Sequence, residues 1–182
     1  MSTRVLDSTH ASLEAVMRKL PKKGASSVYV LSVVSRIDWL VRRCKTLITR
    51  AQCLSNARGS CSSGKDFKVC DSKCSSIMVV EGAGEIAVYK KTGSPITVKV
   101  SPNGLEIATR DHRVVVSGTL LKLEIPTPTG SRMEKEIKLD DVNEISENDY
   151  IIKQSLKGLE TKIEVMLKNL ATCARETATV CP

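Results

Sequence analysis

Apolar positions recur along this chain with two periods, one helical and one of alternating residues. Near the start, Leu13, Val16, Met17 and Leu20 fall at i, i+3, i+4 and i+7, which places them on one face of a short helix over residues 8–20. Ser8 or Thr9 can cap it. Pro21-Lys22-Lys23-Gly24 ends it, because proline has no backbone N–H to give to a helix. A long helix is then predicted over about 27–54. Val30, Val34, Ile37, Val41, Cys44, Ile48 and Ala51 advance by four and three residues in turn, with Val33, Leu40, Leu47 and Leu54 beside them at seven-residue intervals. Such a broad stripe suits a bundle or coiled-coil helix. Its many β-branched residues are poor helix formers, so packing must hold it.

A matching stripe closes the chain. Ile152, Leu156, Leu159, Ile163, Met166, Leu170 and Cys173 step in the same way over residues 147–173, behind a Ser146 cap and acidic first-turn residues that favour the helix dipole. At 1.5 Å per residue each long helix spans roughly 40 Å.

Between residues 77 and 139 the period changes to two. Candidate strands are 77–81, 85–90, 96–100, 105–109, 112–117, 119–125 and 134–139, separated by turn residues such as Gly82-Ala83-Gly84, Gly93-Ser94-Pro95 and Pro102-Asn103-Gly104. Asn103-Gly104 is the strongest hairpin signal among them. Ile96/Val98/Val100 and Leu121/Leu123/Ile125 alternate with polar neighbours, so one face is expected to be buried. Short connections imply an antiparallel meander or a small barrel.

The expected fold class is therefore α+β: two long heptad-patterned helices flanking a β meander or barrel, with a short N-terminal helix. The regions are a basic helical part over 1–54, a Ser/Gly/Cys-rich loop over 55–76, the β domain over 77–146, a coiled-coil-like helix over 147–173 and a frayed tail over 174–182. The simplest arrangement is an antiparallel helix pair with the β domain at one end, similar in outline to a prefoldin subunit. The alternative pairs each helix with its copy in a dimer.

Composition sharpens this picture at three points. Among 182 residues there are one Trp, one Phe and three Tyr, so the core is aliphatic and a multi-aromatic base-stacking platform is excluded. No apolar run approaches the roughly 20 residues of a membrane-spanning helix, and the first residues lack the apolar region of a signal peptide, so a cytoplasmic location is expected. Residues 1–75 carry 14 Lys/Arg and 5 Asp/Glu, net +9, while the remainder is net −1. That asymmetry points to an anionic partner, nucleic acid or an acidic protein; its plainer meaning is a solvated face.

The seven cysteines allow several readings. Cys53, Cys61, Cys70 and Cys74 border or lie in the loop. Only Cys70 and Cys74 have a zinc-like spacing, so disulfides within the loop, a zinc site and reduced thiols all stay open. Cys44 and Cys173 fall on the helical stripes as small buried hydrophobes, and Cys181 is the expected free or intermolecular thiol. Intracellular disulfides are typical of hyperthermophiles, and the low amide count, two Gln and five Asn, suits a thermophilic source.

Catalytic motifs are weak. Gly59–Lys65 fits G-x-x-x-x-G-K, but Asp66 replaces the Mg²⁺-binding hydroxyl and the segment follows a helix instead of a strand. Asp111-His112 is expected at a hairpin tip, and Asp140, Asp141 and Glu144 lead into the last helix. Nothing forms a nucleophile–base–orienter set, so a non-enzyme without cofactor or metal is expected. The most specific feature lies on the long helix. Tyr29, Arg36, Arg43 and Arg50 recur every seven residues, flanked by Arg42 and Lys45, with Trp39, the only Trp, beside them. Arginines reach phosphates and Trp can stack on a base, so these seven residues are the candidate nucleic-acid site, with Lys22, Lys23, Arg58, Lys65, Lys68 and Lys73 extending it. The leading expectation is a nucleic-acid-associated architectural or adaptor protein. The alternative is a self-assembling scaffold or chaperone-like homo-oligomer, for which the same Trp–Arg combination would be an interface hot spot.

Overall fold

All seven strands that alternation predicts are present, and two more precede them. The computed structural model describes residues 3–21, 24–74 and 76–181. Helices α1 (Arg4–Lys19) and α2 (Ala25–Arg58) lead into strands β1 (Ser60–Ser63), β2 (Phe67–Cys74), β3 (Ile77–Gly82), β4 (Glu85–Lys90), β5 (Ile96–Ser101), β6 (Gly104–Thr109), β7 (Arg113–Ser117), β8 (Leu120–Pro126) and β9 (Arg132–Lys138); α3 (Val142–Glu147), α4 (Asp149–Leu156) and α5 (Leu159–Glu176) follow. The strands form one antiparallel sheet in sequence order, each paired with the next. It is a meander, not a barrel: β1 and β9 are its open edges. Both edges are blunted against further pairing. The first is four residues long and wholly exposed, and the second is charged and exposed except at Ile137.

The sheet buries one face. Ile77, Val79, Ile86, Val88, Val98, Val100, Ile107, Val114, Val116, Leu121 and Leu123 all point into the core, as alternation requires. Helices cover that face from edge to edge: α2 over β1–β4, α1 over β5 and β6, α3 and α4 over β7–β9, with α5 against α2 and β2. The other face carries charges in alternation across six strands. Lys99 lies between Glu85 (3.9 Å) and Glu106 (3.6 Å), Arg113 bonds Glu106 (2.6 Å) and pairs with Glu124 (3.5 Å), and Arg132 also reaches Glu124 (3.6 Å). Opposite charges on facing strands hold register.

Several expectations change here. Residues 55–74 of the expected loop over 55–76 are not a loop: they hold the end of α2 and the β1–β2 hairpin, where Cys61 faces Cys70 across the ladder. Polar, Ser-rich strands at a sheet edge leave no apolar alternation to read. The predicted 147–173 helix is two helices, because Gly158 sits in the left-handed region at φ +79° and breaks the run between α4 and α5. The long apolar stripe of α2 is buried from Val30 to Leu54, but it packs on a sheet and on α1 and α5 together. A stripe that wide is a core face, not a two-helix coiled-coil seam.

The direction of the last helix also departs from expectation. Tyr29 meets Asp149, Arg36 meets Glu160, Arg43 meets Glu164 and Cys53 meets Cys181. Residue numbers rise together on both sides, so α2 and α5 run parallel, not antiparallel. The sheet lies alongside α2 instead of at its end, and the chain returns to the start of α2 before α5 begins.

Cysteine chemistry is settled by this arrangement. Cys53–Cys181, Cys61–Cys70 and Cys74–Cys173 are disulfide-bonded. Cys61–Cys70 is a bridge within the expected loop; the other two join partners 128 and 99 residues apart. Cys70 and Cys74 belong to different bridges, which removes the zinc pair. Cys173 is bonded instead of merely packed, and Cys181 is not free. Its bridge anchors the tail, which also folds back through Thr179 N–H donating to the Ala174 carbonyl (2.9 Å).

Among the described residues only Cys44 is a free thiol, and it is fully buried. Burial disfavours the thiolate and pushes its pKa well above the ordinary thiol range. The unfolded chain releases this proton near pH 8.5. The associated stability is thus complete below that pH and is lost progressively as pH climbs beyond it, by about 1.4 kcal/mol per unit. Cys44→Ala is expected to cost on the order of 1 kcal/mol at neutral pH and to flatten this alkaline decline in urea unfolding. Thiol titration should find none reactive in the native unreduced protein, one after denaturation, and all seven cysteines after reduction as well.

Candidate interaction face on the long helix

The seven residues singled out on α2 do not share one open surface. They divide between the two lateral seams of the helix and a trench between them. On the α5 side, the Tyr29 hydroxyl donates to Asp149, and the Lys153 ammonium stands 5.3 Å over the Tyr29 ring. Arg36 Nε donates to Glu160 and its Nη2 to the Leu156 carbonyl (3.3 Å). Arg43 grips Glu164 with two bonds, Nε at 2.8 Å and Nη2 at 3.3 Å. This fork-to-carboxylate geometry is directional and charge-assisted. Arg50 is half-buried on the same seven-residue row.

On the α1 side, Lys45 Nζ reaches Asp7 at 2.6 Å. Arg42 Nε donates to Asp38 at 3.1 Å, and His10 Nδ1 lies 2.6 Å from the other oxygen of that carboxylate. Asp38 is buried on α2 itself, and these two partners satisfy it. The expected outward face of the arginine stripe is therefore a contact face. The basic helix and the acidic residues of α4 and α5 complement one another, so much of the charge asymmetry along the chain is used within it. The acids that do this, Glu160 and Glu164, stand four residues apart and flank the second apolar stripe. That spacing was the available signal, but it becomes readable only once the helices are known to lie parallel.

Trp39 is half-buried against the edge of the core. It lines an open trench of about 590 Å³ together with Val28, Leu31, Ser32, Ser35, Arg36 and Glu160. Val28 and Leu31 are 61% and 41% exposed. Singly exposed apolar side chains are ordinary at a protein surface; what sets these two apart is that they line the same trench as Trp39. Among the supplementary lysines, Lys68 bonds Asn56 (2.9 Å). Lys22 and Lys23 lie outside the described residues, as does the side chain of Arg58.

The remaining motifs have structural roles. Gly59 is followed by a strand, not by a phosphate-binding helix. A Cβ at Gly59 would come within 2.5 Å of the Ser55 carbonyl and 2.6 Å of that of Asp71, so glycine is needed for the hairpin to pack on the end of α2. Asp111-His112 is at the β6–β7 turn as expected, closed by Thr109 N–H donating to the His112 carbonyl (2.9 Å). Asp141 caps α3 by accepting from Asn143 N–H (3.0 Å) and Glu144 N–H (3.2 Å). Among the described residues, no His, Cys, Asp and Glu cluster as a metal site, and no helix is long and apolar enough to cross a membrane. Comparison with protein-family models, with curated proteins and with solved structures finds no significant match.

Proposed function

We propose that this protein is a non-catalytic, disulfide-braced assembly module that pairs with a second copy through the trench around Trp39. The observation that carries this reading is the exposed row of Val28 and Leu31 running along α2 toward Trp39. Its rim holds one cation and one anion, Arg36 and Glu160, already paired. A neutral apolar strip selects an apolar partner over a polyanion, and a two-fold arrangement lays the same strip on itself. Trp and Arg are the residue types that dominate such contacts. Val28, Leu31 and Trp39 are already partly buried, so each copy gains less than the full-burial value of about 1.5–3 kcal/mol per side chain before the cost of association, and the dimer expected is reversible and no tighter than micromolar. Three disulfides suit an oxidising setting or a hyperthermophilic cytoplasm.

Nucleic-acid association is the second reading, supported by the formal charge of +8. Trp39 fluorescence and sedimentation separate the two. Self-association is expected to depend on protein concentration, to persist at high salt and to be abolished by Leu31→Asp, a change at an exposed position that spares the fold. A protein that stays monomeric up to about 0.2 mM, far above a micromolar Kd, would overturn the assembly reading. Quenching by DNA or RNA that fades steeply as salt rises would instead favour phosphate contacts.

A further inference from the structure

A separate pocket lies where the β4–β5 and β6–β7 turns approach the break between α4 and α5. It has a volume of about 390 Å³, and Arg110, Asp111, His112, Ser155, Lys157 and Lys162 contribute its polar lining. Three observations coincide there. Arg110, Lys157 and Lys162 bring three cations against one carboxylate, Asp111, and none of the three cations has an ion-pair partner among the described residues. The pocket flanks the first turn of the 18-residue helix α5, whose N-terminus no side chain caps, so its N–H groups and dipole favour an anion. Independently, Ser155 is only 2% exposed and its hydroxyl has no hydrogen-bond partner. Buried hydroxyls almost always have one; among the described residues Ser55 and Ser155 lack it, and Ser155 is the one that lies at the cationic pocket.

We infer that this pocket binds a phosphoryl dianion. Lys157 and Lys162 supply charge from two sides of the α5 first turn, Arg110 closes the opposite wall with a planar donor fork suited to tetrahedral oxyanions, and Ser155 donates from the floor. The left-handed Gly158 (φ +79°) separates α4 from α5 and so sets Ser155 and the α5 N-terminus beside the same cavity. The volume exceeds that of inorganic phosphate and falls in the range of small-ligand sites, leaving room for an organic body behind the phosphoryl group. The site adjoins the Trp39 trench through the first turn of α5, whose Glu160 faces the trench and pairs with Arg36, but it does not rest on self-association.

The test is calorimetric titration and thermal unfolding of the intact, oxidised protein with inorganic phosphate and with phenyl phosphate, against sodium chloride at equal ionic strength. Phosphate is expected to bind and to raise the unfolding temperature beyond the chloride control. Lys157→Gln/Lys162→Gln is expected to weaken binding at least about tenfold, as loss of charge-assisted bonds does. Ser155→Ala is expected to weaken it as well while leaving the ligand-free protein at least as stable, because the unpaired hydroxyl is gone. Tighter binding of phenyl phosphate assigns the pocket to a phosphorylated organic ligand, and tighter binding of inorganic phosphate assigns it to the free ion; both support a phosphoryl site. No binding by the wild type, or the same binding in the lysine double variant, would overturn the proposal.

Discussion

Reduction of the two long-range disulfides is expected to bring the protein close to its unfolding threshold at room temperature. Cys74–Cys173 joins the end of β2 to the last turn of α5 across 99 residues. A closed loop of that size removes about 4.7 kcal/mol of chain entropy from the unfolded state in the simple model, and measured losses are typically about 2–4 kcal/mol. Cys53–Cys181 spans 128 residues, but it is not an independent restraint. With Cys74–Cys173 closed, it completes a ring of only about 30 residues, so its increment is smaller. Both bridges hold the C-terminal arm on α2 and the sheet edge, which leaves Cys61–Cys70, nine residues apart, as a local clasp.

Total stabilities of about 5–15 kcal/mol are usual, so losing all three bridges removes a large part of the margin. The measurement is urea unfolding with and without reductant. Cys74→Ala/Cys173→Ala is expected to shift the curve by about 2–4 kcal/mol, and alanine avoids placing a hydroxyl where Cys74 is buried. Coincident oxidised and reduced curves would show that these bridges do not brace the fold.

Gly104→Ala is the second large effect. The Pro102-Asn103-Gly104 signal does mark a hairpin, but the turn is centred one residue earlier than an Asn-Gly turn would be. Ser101 pairs with Gly104, so Gly104 is the first residue of β6 and not a turn residue. Its φ is +119°, and an added Cβ would stand 2.3 Å from the Val116 carbonyl oxygen and 3.1 Å from Ser117. The obstacle is backbone of the neighbouring strand, which cannot rotate aside as a side-chain tip could. Strained backbone and a displaced β6–β7 ladder together are expected to cost about 3 kcal/mol or more, or a fall of roughly 6–12 °C in Tm for a chain of this size. Gly118→Ala supplies the comparison: it also has positive φ (+57°) but nothing within 4 Å of a Cβ, so only the conformational cost of about 1 kcal/mol remains. Equal losses for the two variants would refute the close-approach explanation.

The candidate site was partly legible. Trp39 is identifiable as singular by counting, and the seven-residue row of Tyr29, Arg36, Arg43 and Arg50 is a real geometric row. Its direction was not legible, because a charged stripe beside an apolar one serves equally as an outer face or as the rim of a helix–helix contact. Arg36 and Arg43 belong to the second kind because Glu160 and Glu164 stand across from them. The phosphoryl pocket had no sequence signal at all. Arg110, Ser155 and Lys162 are scattered polar residues until two turns and a helix break bring them together.

Strand positions, the aliphatic core and the broad stripe of α2 were readable from the order of residues, since they depend on local periodicity and side-chain burial, which repeat every two or every 3.6 residues. The β1–β2 hairpin escaped because Ser60–Ser63 has no buried face to create a period. Folding alone decided the open sheet, the parallel course of α2 and α5, the pairing of Cys53 with Cys181 and of Cys74 with Cys173, and the neutralisation of the basic helix by acids more than 100 residues away. Each is a contact between distant segments. Many partners satisfy the same local pattern, and only packing the helices onto one face of one sheet selects among them.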